Sequence, residues 1–375
     1  MAKPIYLDFA AATPLDGRVL ESMQSFLTEK FYNPSATYLA AKEVQQALAA
    51  ARSKVGHWLG ARPSEIIFTA GGTEANNLAI HGIMRQFPEG NIVISGMEHE
   101  SVLAPAHEYD CREVRLQLDG RVDLEDLRRK IDGNTVLVSV MYANNEIGTI
   151  EPIREIAKLV EEVRKSRKGR PLYFHTDAAQ AANYLDLHVA RLGVDIMTLN
   201  GGKLYGPKQS GALYVKAGLQ LKPLVQGGGQ ERGLRSGTEN VAGAIGLAEA
   251  LDIAQTMRGN ETARLQRLQR LFLELVGAKL PAARVNGSLK HRLPNNVHVT
   301  LPGKDNERLL IQLDEAGIQA AAGSACSASD EEPSHVLRAI GLSESDARAS
   351  LRFTMGRTTT EADVKRTAEV LSELA

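Results

Sequence analysis

Cysteine is scarce in this sequence, and other marks of an exported or membrane-bound chain are lacking. The two cysteines among 375 residues, Cys111 and Cys326, cannot form a disulfide framework, and neither belongs to a CxxC pair. We therefore expect a reducing compartment. No run of about 18 apolar residues occurs, so no membrane span is expected. The first residues lack the apolar segment of a signal peptide, and the expected location is cytoplasmic.

A strong net charge is also missing. The formal net charge is −1, so no overall basic field indicates direct binding to nucleic acid. Hydrophobic residues make up 43% and charged residues 24%, which is ordinary for a globular protein. A chain of 375 residues is long for one core, and we expect two domains.

The apolar pattern predicts an α/β fold. Strand patterns alternate with helical ones, and the predicted strands cover 65–69, 92–95, 136–142, 172–176, 196–199 and 212–215. Such alternation implies a mainly parallel sheet covered by helices on both faces. Ligands bind beyond the carboxyl ends of the strands in sheets of this kind. Residues 17–60 also show a helical pattern, and a charged helix is predicted over 261–280.

The character of the sequence changes after about residue 255. We predict a large domain over 15–255 and a smaller α+β domain formed by 1–14 and 256–375. The smaller domain carries a loop of small residues, 320–329, that contains Cys326. Glycine, alanine and serine cannot pack a core, so we expect this thiol to be exposed and to have a use. Cys111, near the start of a strand, is expected to be inert.

Two residues at predicted strand ends suggest a cofactor. Asp177 ends one strand, and Lys203 follows the next in a glycine-rich turn. Pyridoxal 5'-phosphate (PLP) needs a lysine for its aldehyde and a carboxylate for its ring nitrogen. On these residues alone, a helix-capping aspartate and a solvated lysine stay open as alternatives.

Three further motifs fit the same chemistry, and each is weak by itself. The strand end Thr69-Ala70-Gly71-Gly72-Thr73 leads into a helix, whose N-terminus suits a phosphate. His99 follows another strand and has an imidazole able to shuttle protons, although a structural histidine is the simpler interpretation. Arg352 lies on a strand of the smaller domain, and its guanidinium is suited to grip a carboxylate.

Taken together, these motifs resemble the class V, fold-type-I PLP enzymes, and most closely the NifS/IscS-type cysteine desulfurases. The resemblance runs nearly end to end, from Tyr6 to about Gly356. It includes the segments 33–35, 68–77, 98–99, 144–148, 175–180, 203–208, 227–231, 235–238, 323–326 and 352–353. So many motifs in one order are highly specific.

The resemblance implies a set of contacts to the PLP ring. Lys203 would bind the aldehyde covalently, and Asp177 would pair with the ring nitrogen. Gln180 would bond the ring hydroxyl, while His99 would stack on the ring and assist proton transfer. Asn144 is also expected among the cofactor-binding residues.

The resemblance further implies phosphate, substrate and sulfur sites. Gly72 and Thr73 would bind the phosphate, joined by Thr238 from the partner subunit of a homodimer. For the substrate L-cysteine, the expected contacts are Asn33, Asn144 and Arg352, with Arg352 on the carboxylate. Cys326 would be the nucleophile that receives the sulfur as a persulfide and passes it to an acceptor protein, for iron–sulfur cluster assembly, tRNA thiolation or both. No metal site is expected.

One departure from the family lies directly before the lysine. The family has Ser-x-His there, whereas this chain has Asn200-Gly201-Gly202. We expect Asn200 to replace the serine and the Gly202 N–H to contribute to the phosphate site, with PLP held more weakly. Alternatives that stay open are selenocysteine lyase, another class V enzyme such as an aminotransferase, and a non-catalytic protein of the same fold.

Overall fold

The computed structural model describes residues 4–323 and 333–375. In this part of the chain the strands, numbered β1 to β12 in order, are Ile5–Tyr6, Ile66–Thr69, Asn91–Ser95, Asp110–Val114, Thr135–Ser139, Tyr173–Asp177, Ile196–Asn200, Gly211–Val215, Arg284–Val285, Asn296–Thr300, Ile318–Gln319 and Ser350–Thr354. The α-helices, α1 to α12, are Gly17–Thr28, Leu39–Leu59, Gly72–Met84, Glu100–Ala106, Leu124–Lys130, Ile153–Ser166, Val189–Leu192, Val241–Lys279, Asn306–Glu315, His335–Ala339, Glu344–Ala347 and Glu361–Leu374.

Seven strands form the large sheet, in the order β2-β8-β7-β6-β5-β3-β4. The pairs from β7 to β4 are parallel, and β8 runs antiparallel to both of its neighbours. Strands β3 and β5 are fully buried, as apolar strands between two helical layers should be. The sequence prediction of a mainly parallel α/β sheet is therefore confirmed.

The register of the sheet brings two turns together at one edge. Thr69 at the end of β2 and Asn200 at the end of β7 both pair with Gly211. A Cβ atom on Gly211 would lie 2.6 Å from the carbonyl carbon of Gly71, so only glycine allows this close approach. The turn before α3 and the turn that carries Lys203 therefore lie side by side.

A smaller sheet is built from β10 between β9 and β12, with antiparallel pairing throughout. The N-terminal arm joins this part of the molecule, because β1 pairs with β11 and the Thr354 N–H donates to the Leu7 carbonyl. The arm then continues through Ala10 and Ala11 toward the large sheet. It forms one wall of a cavity at the edge of the large sheet.

Two helix predictions were wrong in their extent. The pattern over 17–60 is interrupted between α1 and α2, where Pro34 lies in a loop. Helix α8 begins at Val241, not at residue 261, and runs for 39 residues. It passes unbroken through residue 255, so the two-domain division at that position stays a proposal. Among the described residues, no helix has the length and apolar character needed to cross a membrane.

Candidate active site

A cavity lies beyond the carboxyl ends of β3, β5, β6 and β7. The predicted site residues that line it are Gly72, Thr73, His99, Asp177, Gln180, Asn200, Lys203 and Arg352. They come from both sheets and from the loops between elements. The structure therefore brings most of the predicted site together.

Lys203 lies on a 3-10 turn directly after β7. Its Nζ donates hydrogen bonds to the carbonyl oxygens of Ala10, at 2.8 Å, and Ala11, at 2.6 Å. The Gln180 side-chain amide also donates to the Ala10 carbonyl, at 3.0 Å. The N-terminal arm thus holds both side chains at the cavity wall, a role for main-chain carbonyls that no sequence motif signals.

Asp177 ends β6 and is only 6% exposed. One carboxylate oxygen accepts the Ala179 N–H at 2.8 Å, and the other accepts an N–H of the Asn76 side chain at 2.7 Å. Two donors fix the plane of the carboxylate. A buried acid oriented in this way can support a positive charge placed in the cavity.

His99 is linked to Asp177 through two residues that the sequence analysis missed. Asn76 Nδ2 also donates to Ser101 Oγ at 2.8 Å, and Ser101 Oγ lies 2.8 Å from His99 Nδ1. Nδ1 accepts the Ser101 backbone N–H as the cap of α4, so the neutral ring carries its proton on Nε2. Asn76 is a buried amide within an apolar helix. A polar residue in such a pattern is the sequence feature that could have identified Asn76 as a site residue.

Arg352 is 1% exposed and reaches the cavity from β12. Its guanidinium donates to Asp8 Oδ1 at 2.7 Å and to the Asn145 carbonyl at 3.1 Å. Within the described residues its Nε finds no hydrogen-bond partner. Unsatisfied buried donors are rare, and one at a cavity wall is suited to an anionic ligand.

Asn144 does not line the cavity. It is fully buried, and its Oδ1 accepts the N–H groups of Glu146 and Ile147, while its Nδ2 donates to the Met97 carbonyl. The neighbouring Asn145 lines the cavity instead. The expected ligand role of Asn144 is therefore not favoured by its position, because its amide is already used to shape the loop.

Asn33 and Thr238 are both exposed and lie outside the cavity lining of this chain. Exposure of Thr238 is compatible with the expectation that it serves a partner subunit. Cys326 lies outside the described residues. On the far side of its loop, Ser334 Oγ donates to Glu146 Oε2 at 2.6 Å, and Gly323 on the near side faces the same carboxylate, since a Cβ added there would lie 3.4 Å from that oxygen.

The loop that contains Cys326 also begins beside Arg352. The Arg352 N–H donates to the Ala321 carbonyl at 2.6 Å, and the Ala321 N–H returns a bond at 3.2 Å. The base of the loop is thus fixed to the strand that carries the cavity arginine. Cys111, by contrast, lies on β4, where burial raises the pKa of its thiol to about 12.

The donor set at the cavity fits PLP. An amine and a carboxylate lie at adjacent strand ends, and the N-terminus of α3 supplies N–H groups beside them. A Cβ on Gly72 would lie 3.2 Å from the Asn200 Cβ, so the turn forms a cradle that a larger residue would crowd. No group of acidic, cysteine and histidine side chains suited to a metal occurs within residues 4–323 and 333–375.

Glu98, next to His99, is fully buried, and this burial raises the pKa of its carboxyl from an ordinary 4.5 to about 8. Ser95 Oγ and the Met141 N–H both donate to its Oε1, at 2.6 and 2.7 Å. The folded protein therefore keeps Glu98 protonated at a pH where the unfolded chain has ionised it. Its contribution to stability is full below pH 4.5 and is lost as the pH rises toward about 8.

Replacing Glu98 by glutamine should remove this loss, because the amide stays neutral at every pH. We expect the variant to gain thermal stability relative to the wild type as the pH is raised through the window from 4.5 to about 8. Unfolding midpoints measured across that range check the prediction. Glu21→Gln, an exposed change on α1, is the control, and parallel pH profiles for Glu98→Gln and wild type would contradict it.

A family model described as Aminotransferase class-V matches residues 5–367, and the chain belongs to this family. It is 41% identical over 381 residues to Cysteine desulfurase IscS of Dictyoglomus turgidum, covering 100% of this chain and 95% of that protein. It is 40% identical over 373 residues to Cysteine desulfurase IscS 1 of Archaeoglobus fulgidus, covering 98% and 95% of the two chains. Within the class, its place is with the IscS-type cysteine desulfurases.

Solved structures agree with this placement. A NifS-like protein superposes with a TM-score of 0.92 at 31% identity, and 99% of each chain is covered. A structure described as SspA in complex with cysteine gives a TM-score of 0.80 at 33% identity, covering 94% of this chain and 98% of that one. The predicted fold-type-I architecture is confirmed.

Proposed function

We propose that this protein is a PLP-dependent cysteine desulfurase, which converts L-cysteine to L-alanine and retains the sulfur as a persulfide on Cys326. The observation that carries the proposal is the shared cavity. Lys203 and Asp177 lie on the large sheet, Arg352 reaches the same space from the small sheet, and the described base of the Cys326 loop is bonded to Arg352. The full-length similarity to named cysteine desulfurases supports the same function.

Bound PLP supplies an aldehyde that reacts with amines and a ring that takes up electrons. We assign the ring nitrogen to Asp177, the ring hydroxyl to Gln180 and the ring face to His99. We assign the phosphate to Gly72, Thr73 and Asn200, which line the same cavity. Asn145 lines the cavity and replaces Asn144 as the proposed contact from that loop.

The residues of this chain have separate roles in the reaction of L-cysteine. Arg352 holds the substrate carboxylate through donors not used by Asp8 and the Asn145 carbonyl. Lys203 accepts the Cα proton and returns a proton to the product. The Cys326 thiolate bonds to the substrate sulfur as the bond between that sulfur and Cβ breaks, so one sulfur atom moves and alanine leaves.

We further propose a cytoplasmic homodimer in which Thr238 completes the partner's phosphate site. Exposed aromatic side chains support the proposal that a partner subunit covers this surface. Phe31 is 70% and Tyr38 is 54% exposed, and Phe31 stacks on Tyr32 with 4.6 Å between the ring centroids. The persulfide would pass to an acceptor protein for iron–sulfur clusters, tRNA thiolation or both.

The function is tested by measuring alanine and sulfide release from L-cysteine with added PLP and a reductant. Wild type should release both products, and Cys326→Ser should release no sulfide because no thiol remains to take the sulfur. Cys111→Ser is the matched control and should behave as wild type, since burial keeps that thiol protonated. Equal sulfide release by wild type and Cys326→Ser would contradict the role of Cys326.

Replacing Gly202 by histidine should tighten PLP binding. A Cβ on Gly202 meets nothing closer than Asn200 Oδ1 at 3.5 Å, so the first atom of a side chain is accommodated there. A charge-assisted hydrogen bond from the imidazole contributes roughly 1.5–3 kcal/mol, a gain in affinity of about 10- to 150-fold. Retention of PLP during dialysis checks this, with Gly202→Ala as control, and unchanged retention in Gly202→His would contradict it.

A further inference from the structure

The active-site cavity adjoins a second recess at Lys203, with a volume of about 630 Å³. The two spaces share Gly72, Thr73, Asn200 and Lys203 as lining residues. The recess is additionally lined by Gly202, Lys208 and Gln209. A ligand whose aldehyde end reaches Lys203 can therefore extend its opposite end into the recess.

The hydrogen bonds around Asn200 decide which donors face this recess. Its Oδ1 accepts the Gly202 N–H at 3.1 Å, so that N–H is not available to a ligand and the expectation that it binds phosphate is corrected. The same bond orients the other end of the amide, and Nδ2 lies 3.3 Å from a Cβ built on Gly72. Asn200 thus presents its N–H groups beside the N-terminus of α3.

The charges of the recess favour an anion. The acidic residue that lines the recess, Glu74, is paired with the Arg235 guanidinium at 3.0 Å and accepts the Ala70 N–H at 2.8 Å. Lys208 also lines the recess, and its Nζ donates to the Thr13 carbonyl, which leaves two further N–H groups on the ammonium. With Lys203 assigned to the cofactor aldehyde, the remaining positive charge at the recess comes from the Lys208 ammonium and the N-terminus of α3.

Backbone geometry directs Lys208 into this position. A Cβ on Gly202 would lie 3.9 Å from both the Cα and the Cγ of Lys208. Because Gly202 has no side chain, the aliphatic part of the Lys208 side chain forms this wall of the recess. The next residue, Gln209, adopts a left-handed backbone with φ of 57°, which is unusual for a side chain other than glycine. Strained residues of this kind cluster at ligand clamps.

We propose that Lys208 supplies the cationic contact to the phosphate of the cofactor, with Asn200 Nδ2 as a neutral donor beside it. This inference rests on the proposed PLP site and adds the residue that takes the place of the missing imidazole. Lys208 is a binding residue here and takes no part in the transfer of the Cα proton.

The test compares PLP with pyridoxal, which has the same ring and aldehyde but no phosphate. Dissociation constants are measured by absorbance on the full chain after removal of cofactor. Lys208→Met should bind PLP about tenfold or more weakly than wild type, because an ionic hydrogen bond is lost, and should bind pyridoxal equally well. Lys208→Arg should keep most of the PLP affinity, and Lys290→Met, an exposed lysine elsewhere, should change neither constant.

Competition by inorganic phosphate gives an independent readout. Phosphate should weaken PLP binding to wild type more than to Lys208→Met or to a second variant, Lys208→Gln. Equal affinities of wild type and Lys208→Met for PLP would overturn the inference, as would equal losses for PLP and pyridoxal. A wild-type chain that binds neither compound would instead refute the proposed cofactor, so the two failures are distinguishable.

Discussion

Changing Lys203 to alanine should lower alanine and sulfide release by about 10⁴-fold, the upper end of what a single acid–base group contributes. The structure gives this lysine a fixed position, since two carbonyls of the N-terminal arm accept from its Nζ at 2.8 and 2.6 Å. Both the covalent attachment of PLP and the acceptor for the Cα proton would be lost together. No other described residue lines the cavity with an amine.

The measurement is steady-state release of both products, together with the visible absorbance of bound PLP. Lys203→Ala should lose the absorbance of the covalently attached cofactor, and without cofactor it should still unfold cooperatively, at a somewhat lower temperature because the two bonds to the N-terminal arm are lost. Lys222→Ala, which removes an exposed lysine elsewhere, is the matched control. A variant that retains more than about a tenth of the activity would contradict the role of Lys203.

Replacing Asp177 by asparagine should lower turnover by about 10²–10³-fold, the range seen when one preorganised electrostatic contact is removed. The amide keeps the shape of the carboxylate but cannot hold a proton on the ring nitrogen through charge. Asn76 can adapt to the change, because its own Oδ1 is buried without a partner in the described structure and would accept from the new amide after a flip. We therefore expect the fold and PLP binding to persist.

The loss should appear in kcat and in the absorbance spectrum, with Lys203 still able to attach PLP. Asp195→Asn is a demanding control, since Asp195 is also buried, at 3% exposure, and bonds Arg164 and Lys216 away from the cavity. That variant should lose stability and keep its spectrum. Asp177→Asn with wild-type turnover would show that the ring nitrogen does not depend on this acid.

The parts of the fold and site that could be predicted are those that depend on short stretches of sequence. Strand patterns placed Asp177, Lys203 and the start of α3 at strand ends, and the pairing of Thr69 and Asn200 with Gly211 and of Asp177 with Thr198 brings these ends to one edge. The capping box of Thr360 and Asp363 at the start of α12 is another feature that four neighbouring residues define. Such features depend on a few neighbouring residues, so their chemistry is visible in the sequence.

The parts that could not be predicted depend on contacts between distant segments. Asn76 reaches Asp177 across 101 positions, and Lys203 reaches Ala10 across 193. The choice between Asn144 and Asn145 depends on which side chain the loop turns inward, a difference of one residue that no apolar pattern fixes. Helix α8 continues from a buried into an amphipathic stretch, and the sequence pattern predicted a helix for the second part alone.

The most direct test of the account is a single turnover without reductant, followed by mass spectrometry of the peptides. Wild-type protein loaded with PLP and mixed with L-cysteine should gain one sulfur atom on the peptide that contains Cys326 and form one alanine for each sulfur retained. The Cys111 peptide should stay unchanged. Alanine formed with no added sulfur on the Cys326 peptide, or transfer of the amino group with Cys326 unmodified, would contradict the proposed desulfurase.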